Sequence, residues 1–310
     1  MSSSLPGSFD RPRHVDVLCA GHASYDLIFT VDHHPLADEK IFADRFIACG
    51  GGPAANAAVT VTRLGGSAAY AGYLGLDLYG EAHFNELLSE AVDTRLVVRG
   101  TNPTPLSAVL VKPDGSRSLV NYKGATTPLS ASALDLTGFD PKVILLDGHE
   151  PQLSAYLAEW ARRRHIPVVL DAGSLHAGTS ALMNRVDYLV CSEKFACQAG
   201  QLADAIDALP ALARQARNVV ITLGERGLVW QTDQDFGQLP AFPVEALDTT
   251  GAGDAFHGAF ALGIAEGRHW IDLLRFASAA GALCCTRLGA RIGIPHLDDV
   301  NKLVEAGEPA

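Results

Sequence analysis

Asp248-Thr249-Thr250-Gly251-Ala252-Gly253-Asp254-Ala255-Phe256-His257-Gly258-Ala259 is the stretch on which the reading of this chain turns. Its small residues let the backbone turn tightly and expose N–H groups. Asp254 closes the turn, and a run of small and apolar residues compatible with a helix follows. A glycine turn that opens a helix is an anion site, because unpaired N–H groups and the helix dipole both face the ligand. A carboxylate beside an anion that is only held would repel it. The same carboxylate is well placed to take a proton from a hydroxyl that attacks the anion. The stretch therefore predicts phosphoryl transfer, with Asp254 as base and the amides of Gly251, Ala252 and Gly253 as anion hole. A plain turn can carry the same glycines, so the rest of the chain must support the reading.

Composition sets the bounds. The 310 residues suffice for one large α/β domain or two smaller ones. With 48% hydrophobic and 19% charged residues, a sizeable core is expected and general disorder is not. A net charge of -11 and the lack of a basic tract disfavour a nucleic-acid partner. The six cysteines, Cys19, Cys49, Cys191, Cys197, Cys284 and Cys285, form no C-x-x-C pair and lie mostly in apolar runs. Free thiols in a reducing cytoplasm are expected. Residues 1–13 are Ser/Pro-rich without an apolar core segment, which predicts a flexible tail rather than a signal peptide. No run approaches the roughly 18 apolar residues of a membrane helix.

Along the chain, strands and helices alternate. Strands are expected over His14–Ala20, Ala68–Leu74, Val143–Leu146, Val168–Asp171, Tyr188–Cys191 and Val219–Leu223. Helices are expected over Ala54–Leu64, Glu81–Ala91, Gln152–Arg164, Ala203–Ala216, Asp254–Glu266 and Trp270–Cys285. This pattern implies a mostly parallel sheet covered on both faces. Asp26–Val31 reads as extended and Pro35–Phe46 as irregular. Ser107–Val111 and Ser118–Tyr122 flank Pro113-Asp114-Gly115-Ser116, a hairpin turn in which Pro presets φ and Gly supplies positive φ. The hairpin does not fit the alternation and predicts a separate small sheet. Ligands of such folds bind beyond the carboxyl ends of strands, where Asp26, Asp147, His149, Asp171, Glu193 and Gly224 fall. An acid at that position can also be a helix cap.

A second glycine cluster, Cys49-Gly50-Gly51-Gly52-Pro53-Ala54-Ala55-Asn56, also opens a helix. Gly50, Gly52 and Ala55 fit the loose G-x-G-x-x-A dinucleotide fingerprint, so a nicotinamide- or flavin-dependent oxidoreductase is a rival reading. Against it, the acid expected at the end of the next strand is missing, and Asp77 comes only after another glycine turn. Bare backbone beside the donor and acceptor of Asn56 suits sugar hydroxyls.

Together the two motifs resemble those of the ribokinase-like (PfkB) carbohydrate kinases. Gly51-Gly52-Pro53-Ala54-Ala55-Asn56, with Gly65, Gly75 and Gly80, resembles the first signature of that family, and 248–261 its second. Thr222-Leu223-Gly224-Glu225-Arg226-Gly227 is similar to its nucleotide loop, and Thr286-Arg287-Leu288-Gly289-Ala290 to its C-terminal ion and nucleotide loop. The resemblance implies a Rossmann-like three-layer α/β/α fold over 14–306, with a β-sheet lid from about 27–48 and 107–122. It implies Asp254 as base and Gly251–Gly253 as anion hole. Asp26, Gly51, Gly52 and Asn56 become sugar contacts. Ser192, Thr222, Gly224, Gly227 and Ser278 line the nucleotide site, and Asp248, Thr250 and Gly289 surround a monovalent cation. ATP and Mg2+, with K+ in many members, are the implied cofactors. A homodimer through the lid is the implied assembly, and the cytoplasm the implied compartment. One departure stands out: where many members carry Asn-x-x-Glu near magnesium, this chain has Ser192-Glu193-Lys194-Phe195. Phe195 cannot ligate a hard ion.

Within the family the chain looks most similar to sulfofructose kinases, on Gly50–Ala55, Asn121-Tyr122, Phe276–Ser278 and Cys285–Arg287 through Gly293–Pro295. That likeness implies a ketose with an anionic far end, contacted by Lys40 and Asn121. His149 stands where an arginine is expected for the anion, and Glu150 beside it would repel if it pointed inward. Fructose, ribose, a sugar phosphate or a nucleoside are alternative acceptors. A non-catalytic sugar or nucleotide sensor with the same fold is the alternative from another class.

Overall fold

The structure, a computed structural model, describes residues 13–307. The tail expected over 1–13 falls, but for the backbone of Arg13, outside them. In chain order the first half runs β1 (Arg13–Ala20), β2 (Ser24–Thr30), β3 (Arg45–Gly51), α1 (Pro53–Arg63), β4 (Ala68–Gly75), α2 (Leu78–Ser89) and β5 (Asp93–Gly100). The hairpin strands β6 (Leu106–Val111) and β7 (Arg117–Tyr122) follow. Then come β8 (Phe139–Leu146), α3 (Pro151–Arg164), β9 (Val168–Ala172), α4 (Ala177–Leu182), β10 (Tyr188–Ser192), α5 (Glu193–Gly200) and α6 (Ala205–Leu212). The chain continues through β11 (Asn218–Thr222), β12 (Leu228–Gln231) and β13 (Phe236–Leu239) to α7 (Ala252–Ala265), α8 (Trp270–Cys284), α9 (Ala290–Gly293) and α10 (Leu297–Ala306).

The main sheet has the order β13-β12-β11-β10-β9-β8-β1-β4-β5. It is parallel from β5 to β11, and only β12 and β13 run antiparallel, at one edge. Alternation of side chains along the strands sorts the core into two layers. Leu18, Ile144 and Leu170 face one way and pack with Leu157 of α3, Phe195 of α5 and Leu209 of α6. Val17, Val143, Leu145 and Val169 face the other way and pack with Val59 of α1, Phe260 of α7 and Leu274 of α8. This is the three-layer α/β/α arrangement expected from the alternating pattern.

The hairpin joins a second sheet of order β3-β2-β6-β7, in which only β2 and β6 pair in parallel. Ile28, Cys49, Val109 and Val111 form its small core. Two helices differ from expectation by more than two residues at an end. α2 begins at Leu78 because Asp77 caps it, accepting from Gly80 N–H at 2.8 Å, and Ala91 turns left-handed beyond its end. α6 runs only from Ala205 to Leu212, with Asp204 accepting from Ile206 N–H and Pro210 removing a donor inside its last turn. All six cysteines are free. No helix among the described residues is long and apolar enough to cross a membrane.

Candidate active site

Gly251 caps α7 with φ 81°, and a Cβ there would stand 2.5 Å from the Cβ of Ala290, so only glycine fits both the angle and the space. That turn leaves the N–H groups of Gly253 and Asp254, in the first turn of α7, without an acceptor inside the helix. Asp254 is half-buried at the same end. Asn56 Nδ2 donates to Asp254 Oδ2 at 2.7 Å, which joins the two glycine motifs across 198 residues of sequence. Burial pushes the Asp254 carboxyl above its ordinary 3.8, while the Asn56 bond and His257 pull the other way. A base so shifted holds a proton more readily than a surface carboxylate.

Asp26 lies on β2 and is buried. Its Oδ1 accepts from Ser24 Oγ at 2.8 Å, and burial raises its pKa, helped by the nearby Asp254 charge. Cys49, Asp26, Ser107 and Asn121 are register partners across β3, β2, β6 and β7, so Asn121 shares a face with Asp26. Gly51 must stay bare, because a Cβ would overlap the Asp26 carboxylate. Gly52, at φ 94°, opens α1. Lys40 is exposed on the loop between β2 and β3, and no contact among the described residues brings it to Asp26, Asn56 or Asp254. His149 lies instead beside His22 and His176, with ring centroids at 5.5 and 4.6 Å. The Glu150 carboxylate accepts from Leu129 N–H at 2.5 Å.

Asp248 is 1% exposed and fully engaged. Oδ1 accepts from Thr250 N–H at 2.9 Å and Thr250 Oγ at 2.6 Å, and Oδ2 accepts from Gly289 N–H at 2.8 Å. The three residues expected around a cation do come together, but as a hydrogen-bonded knot. Across it reaches Arg117 of β7, which donates to Thr249 Oγ at 3.1 Å and Thr250 Oγ at 2.8 Å and stands 3.7 Å from Asp248 Oδ1.

On the far side, Thr222 ends β11 and donates to Cys191 O at 3.3 Å. Gly224 and Gly227 bracket the turn after it. Ser192 caps α5 through Phe195 N–H and donates to Gly173 O. Ser278 lines a cavity of about 200 Å³ with Phe242, Arg275 and Leu239–Ala241, the segment that packs against Gly227. A larger cavity of about 420 Å³, lined by Thr286, Arg287 and Lys302 among others, includes no residue of the Asp254 cluster.

The sequence reading missed two arginines and a pairing. Arg291 is buried on α9 and donates from Nε to Asn56 Oδ1 at 3.2 Å, while Nη2 lies 3.2 Å from His83 Nε2. Arg117 escaped notice as one charge in a solvated hairpin. Asp171 had been marked as a strand-end acid, but not its partner: Asp171 Oδ2 lies 3.4 Å from His257 Nδ1, one turn along α7 from Asp254. The nitrogens of His257 lie 2.6 Å from Gly253 O and 3.1 Å from Val190 O, which ties the ring to the anion turn.

Comparison with known proteins settles the family. Residues 15–297 match the model of the pfkB family carbohydrate kinases. The chain belongs to that family. It is therefore a sugar kinase by descent, of the ribokinase-like group. A ribokinase of Bacillus subtilis is 31% identical over 293 residues, covering 93% of this chain and 99% of the relative. Fructokinase-1 of Zea mays is 28% identical over 320 residues, covering 93% and 97%. Among solved structures, the Arabidopsis thaliana ribokinase complexed with ribose and ATP superposes with a TM-score of 0.82 at 25% identity, covering 94% of this chain and 99% of that one. The Thermotoga maritima ribokinase gives 0.82 at 26% identity, with the same coverage.

Proposed function

We propose that this PfkB-family kinase transfers the γ-phosphoryl group of ATP to a hydroxyl of a ketose-type sugar. The observation that carries the reading is Asp254 at the mouth of the Gly251 turn, held by Asn56 at 2.7 Å beside free helix N–H groups. Asp254 takes the proton of the acceptor hydroxyl as its oxygen attacks the γ-phosphorus. The bond from that phosphorus to the bridging oxygen of the β-phosphate breaks, and ADP leaves. The amides of Gly251, Ala252 and Gly253 steady the charge on the moving group. The guanidinium of Arg117 adds positive charge at the same turn. Asp26, Gly51, Gly52 and Asn56 bind the acceptor, with Asn121 on the same face as Asp26. Thr222, Gly224 and Gly227, with Ser192 and Ser278, line the nucleotide site.

Magnesium accompanies the phosphates of ATP in this reading. The protein side fits it poorly: Glu193 is paired with Arg226 at 2.5 Å and Phe195 is wholly buried. A potassium ion near Asp248, Thr250 and Gly289 would share a filled carboxylate with Arg117 at 3.7 Å. The residues do not fit it as they stand.

The second sheet acts as a lid that excludes water, which would otherwise hydrolyse ATP. Its outer face supports pairing of two copies in the cytoplasm: Phe29 and Phe46 lie with ring centroids 5.0 Å apart, and Phe46 and Val120 are 58% and 69% exposed. A monomer in sedimentation at micromolar concentration would remove that assembly. A sensor reading draws only on Phe195, and the intact Asp254 cluster weighs against it.

The deciding experiment is ADP release from Mg-ATP across fructose, fructose 6-phosphate, 6-deoxy-6-sulfofructose, ribose, tagatose and adenosine. One strong responder names the acceptor class. Silence with ATP bound would favour the sensor.

A further inference from the structure

His257 shares α7 with the base, and no step of the transfer uses it. It is 3% exposed and stands three residues beyond Asp254. Positions i and i+3 of a helix bring their Cβ atoms to about 5–6 Å, so the ring lies on the same side of α7 as the Asp254 carboxylate.

Both ring nitrogens face main-chain carbonyls. Nδ1 lies 2.6 Å from Gly253 O, and Nε2 lies 3.1 Å from Val190 O of β10. A carbonyl oxygen only accepts, so each contact needs an N–H on the ring. A neutral imidazole carries one N–H and one lone pair. Either neutral tautomer would therefore set a lone pair against a carbonyl oxygen, in a buried place where water cannot relieve it. The doubly protonated ring satisfies both contacts, and 2.6 Å is the short length of a charge-assisted bond.

A buried cation needs a counter-charge. Asp171 supplies it from β9, where it is 6% exposed and the register partner of Val190. Its Oδ2 stands 3.4 Å from His257 Nδ1. The sheet thus fixes the carboxylate and one carbonyl, and the helix fixes the other carbonyl, around one ring.

The surrounding charges give the pair a task. Burial raises the Asp171 and Asp254 carboxyls above their ordinary 3.8, Asp147 beyond β8 adds to both, and His257 pulls both down. Arg117 of β7 also lowers Asp254. Asp26 of β2 feels the charge of Asp254, and the Cys284 thiol of α8 is pushed up by burial and then by Asp254. We propose that Asp171 and His257 form a buried ion pair in which His257 is a standing imidazolium, and that this pair positions the catalytic end of α7. Its charge keeps Asp254 deprotonated. Its N–H to Gly253 O polarises the peptide whose N–H belongs to Asp254, one of the two that α7 leaves without an acceptor. The inference rests on the kinase reading with Asp254 as base. His257 and Asp171 act through Asp254 and are positioning residues.

Two measurements on the full chain test it. The first is nitrogen NMR of protein carrying labelled histidine, with the His257 ring assigned from Phe256-His257, a pair that occurs once in the chain. Both ring nitrogens are expected to stay protonated from about pH 6 to about pH 9, across the range in which an ordinary histidine loses its charge. One bare ring nitrogen at neutral pH overturns the proposal, whether or not any variant folds. Asp171→Asn should bring the loss of that proton into the same range, and a ring that keeps both protons in a folded Asp171→Asn protein overturns the pair.

The second is the pH profile of kcat with the acceptor that responds in the ADP-release panel. His257→Gln keeps a neutral donor and removes the charge. Asp254 should then hold its proton to higher pH, so the acid limb should move up by about one pH unit or more, with both KM values little changed. A packing role alone would lower kcat at every pH and leave the limb in place, and that result overturns the proposal. A bare ring nitrogen in an active kinase overturns the pair and leaves the kinase standing. Failure of every acceptor in the panel removes the kinase reading, and the role of the pair toward a base falls with it.

Discussion

Replacing Asp254 with Asn separates chemistry from architecture. Asn has nearly the same shape, and its amide oxygen can still accept from Asn56 Nδ2, now 2.7 Å from Asp254 Oδ2. A charge-assisted bond of about 1.5–3 kcal/mol becomes a neutral one of about 1 kcal/mol. That loss is offset because the carboxylate is costly to bury. Burial raises its folded pKa above the ordinary 3.8, so above that value the charged form opposes folding. The thermal midpoint of Asp254→Asn should stay level or rise. Activity should not survive, since a positioned base contributes about 10²–10⁴ in rate, or ~2.7–5.4 kcal/mol of barrier. The assay is coupled ADP release with the best acceptor of the panel, alongside a thermal melt with and without ATP. A stable Asp254→Asn protein that keeps turnover within threefold of the parent would refute the base assignment. The wild-type enzyme carries a second check in its pH profile. Its acid limb in kcat should lie above the ordinary carboxylate value, because activity needs Asp254 deprotonated and burial resists that.

Two further substitutions address the arginines. At 3.7 Å, the attraction between Arg117 and Asp248 is at most about 4.5 kcal/mol at an effective dielectric of 20, and less at the partly exposed site of Arg117. Arg117→Ala should lower kcat roughly 10–100-fold while the acceptor KM barely moves, and a change confined to acceptor KM would count against a role at the anion turn. Arg291→Met removes the donor that fixes Asn56 Oδ1, so stability should fall by about 1–3 kcal/mol and kcat should drop. Arg291→Lys should not restore kcat, since one ammonium cannot reproduce the guanidinium fork that spans Asn56 and His83. Full activity in a folded Arg291→Met enzyme would remove that relay.

Much of this was legible because its signals are local. The turn at Gly251, the helix after Gly52, which starts at Pro53 one residue before its expected start, and the hairpin at Pro113–Ser116 each follow from residues within a few positions of one another. The four-residue strands β12 and β13 gave no such signal: too short for a period, they exist because the edge of the sheet offers them a partner. Lys40 marks the other limit of such reading. A lysine can be assigned to an anion by likeness, but whether its loop reaches the site depends on packing, and no contact among the described residues joins it to Asp26, Asn56 or Asp254.

By itself the sequence determined the alternation that makes a covered parallel sheet, and the two glycine turns that expose backbone N–H groups beside an acid. Backbone geometry and side-chain period act over a few residues, so a single chain displays them. Only the tertiary structure decided which distant groups meet. Asn56 reaches Asp254, Arg291 reaches Asn56, and Arg117 reaches Thr250 because separate strands and helices end at one side of the sheet. Asp147 gathers His22 and His149 in the same way, through hydrogen bonds across 125 residues and across two. No local propensity encodes such meetings. They arise where a buried carboxylate or guanidinium must find partners from whatever the fold brings near.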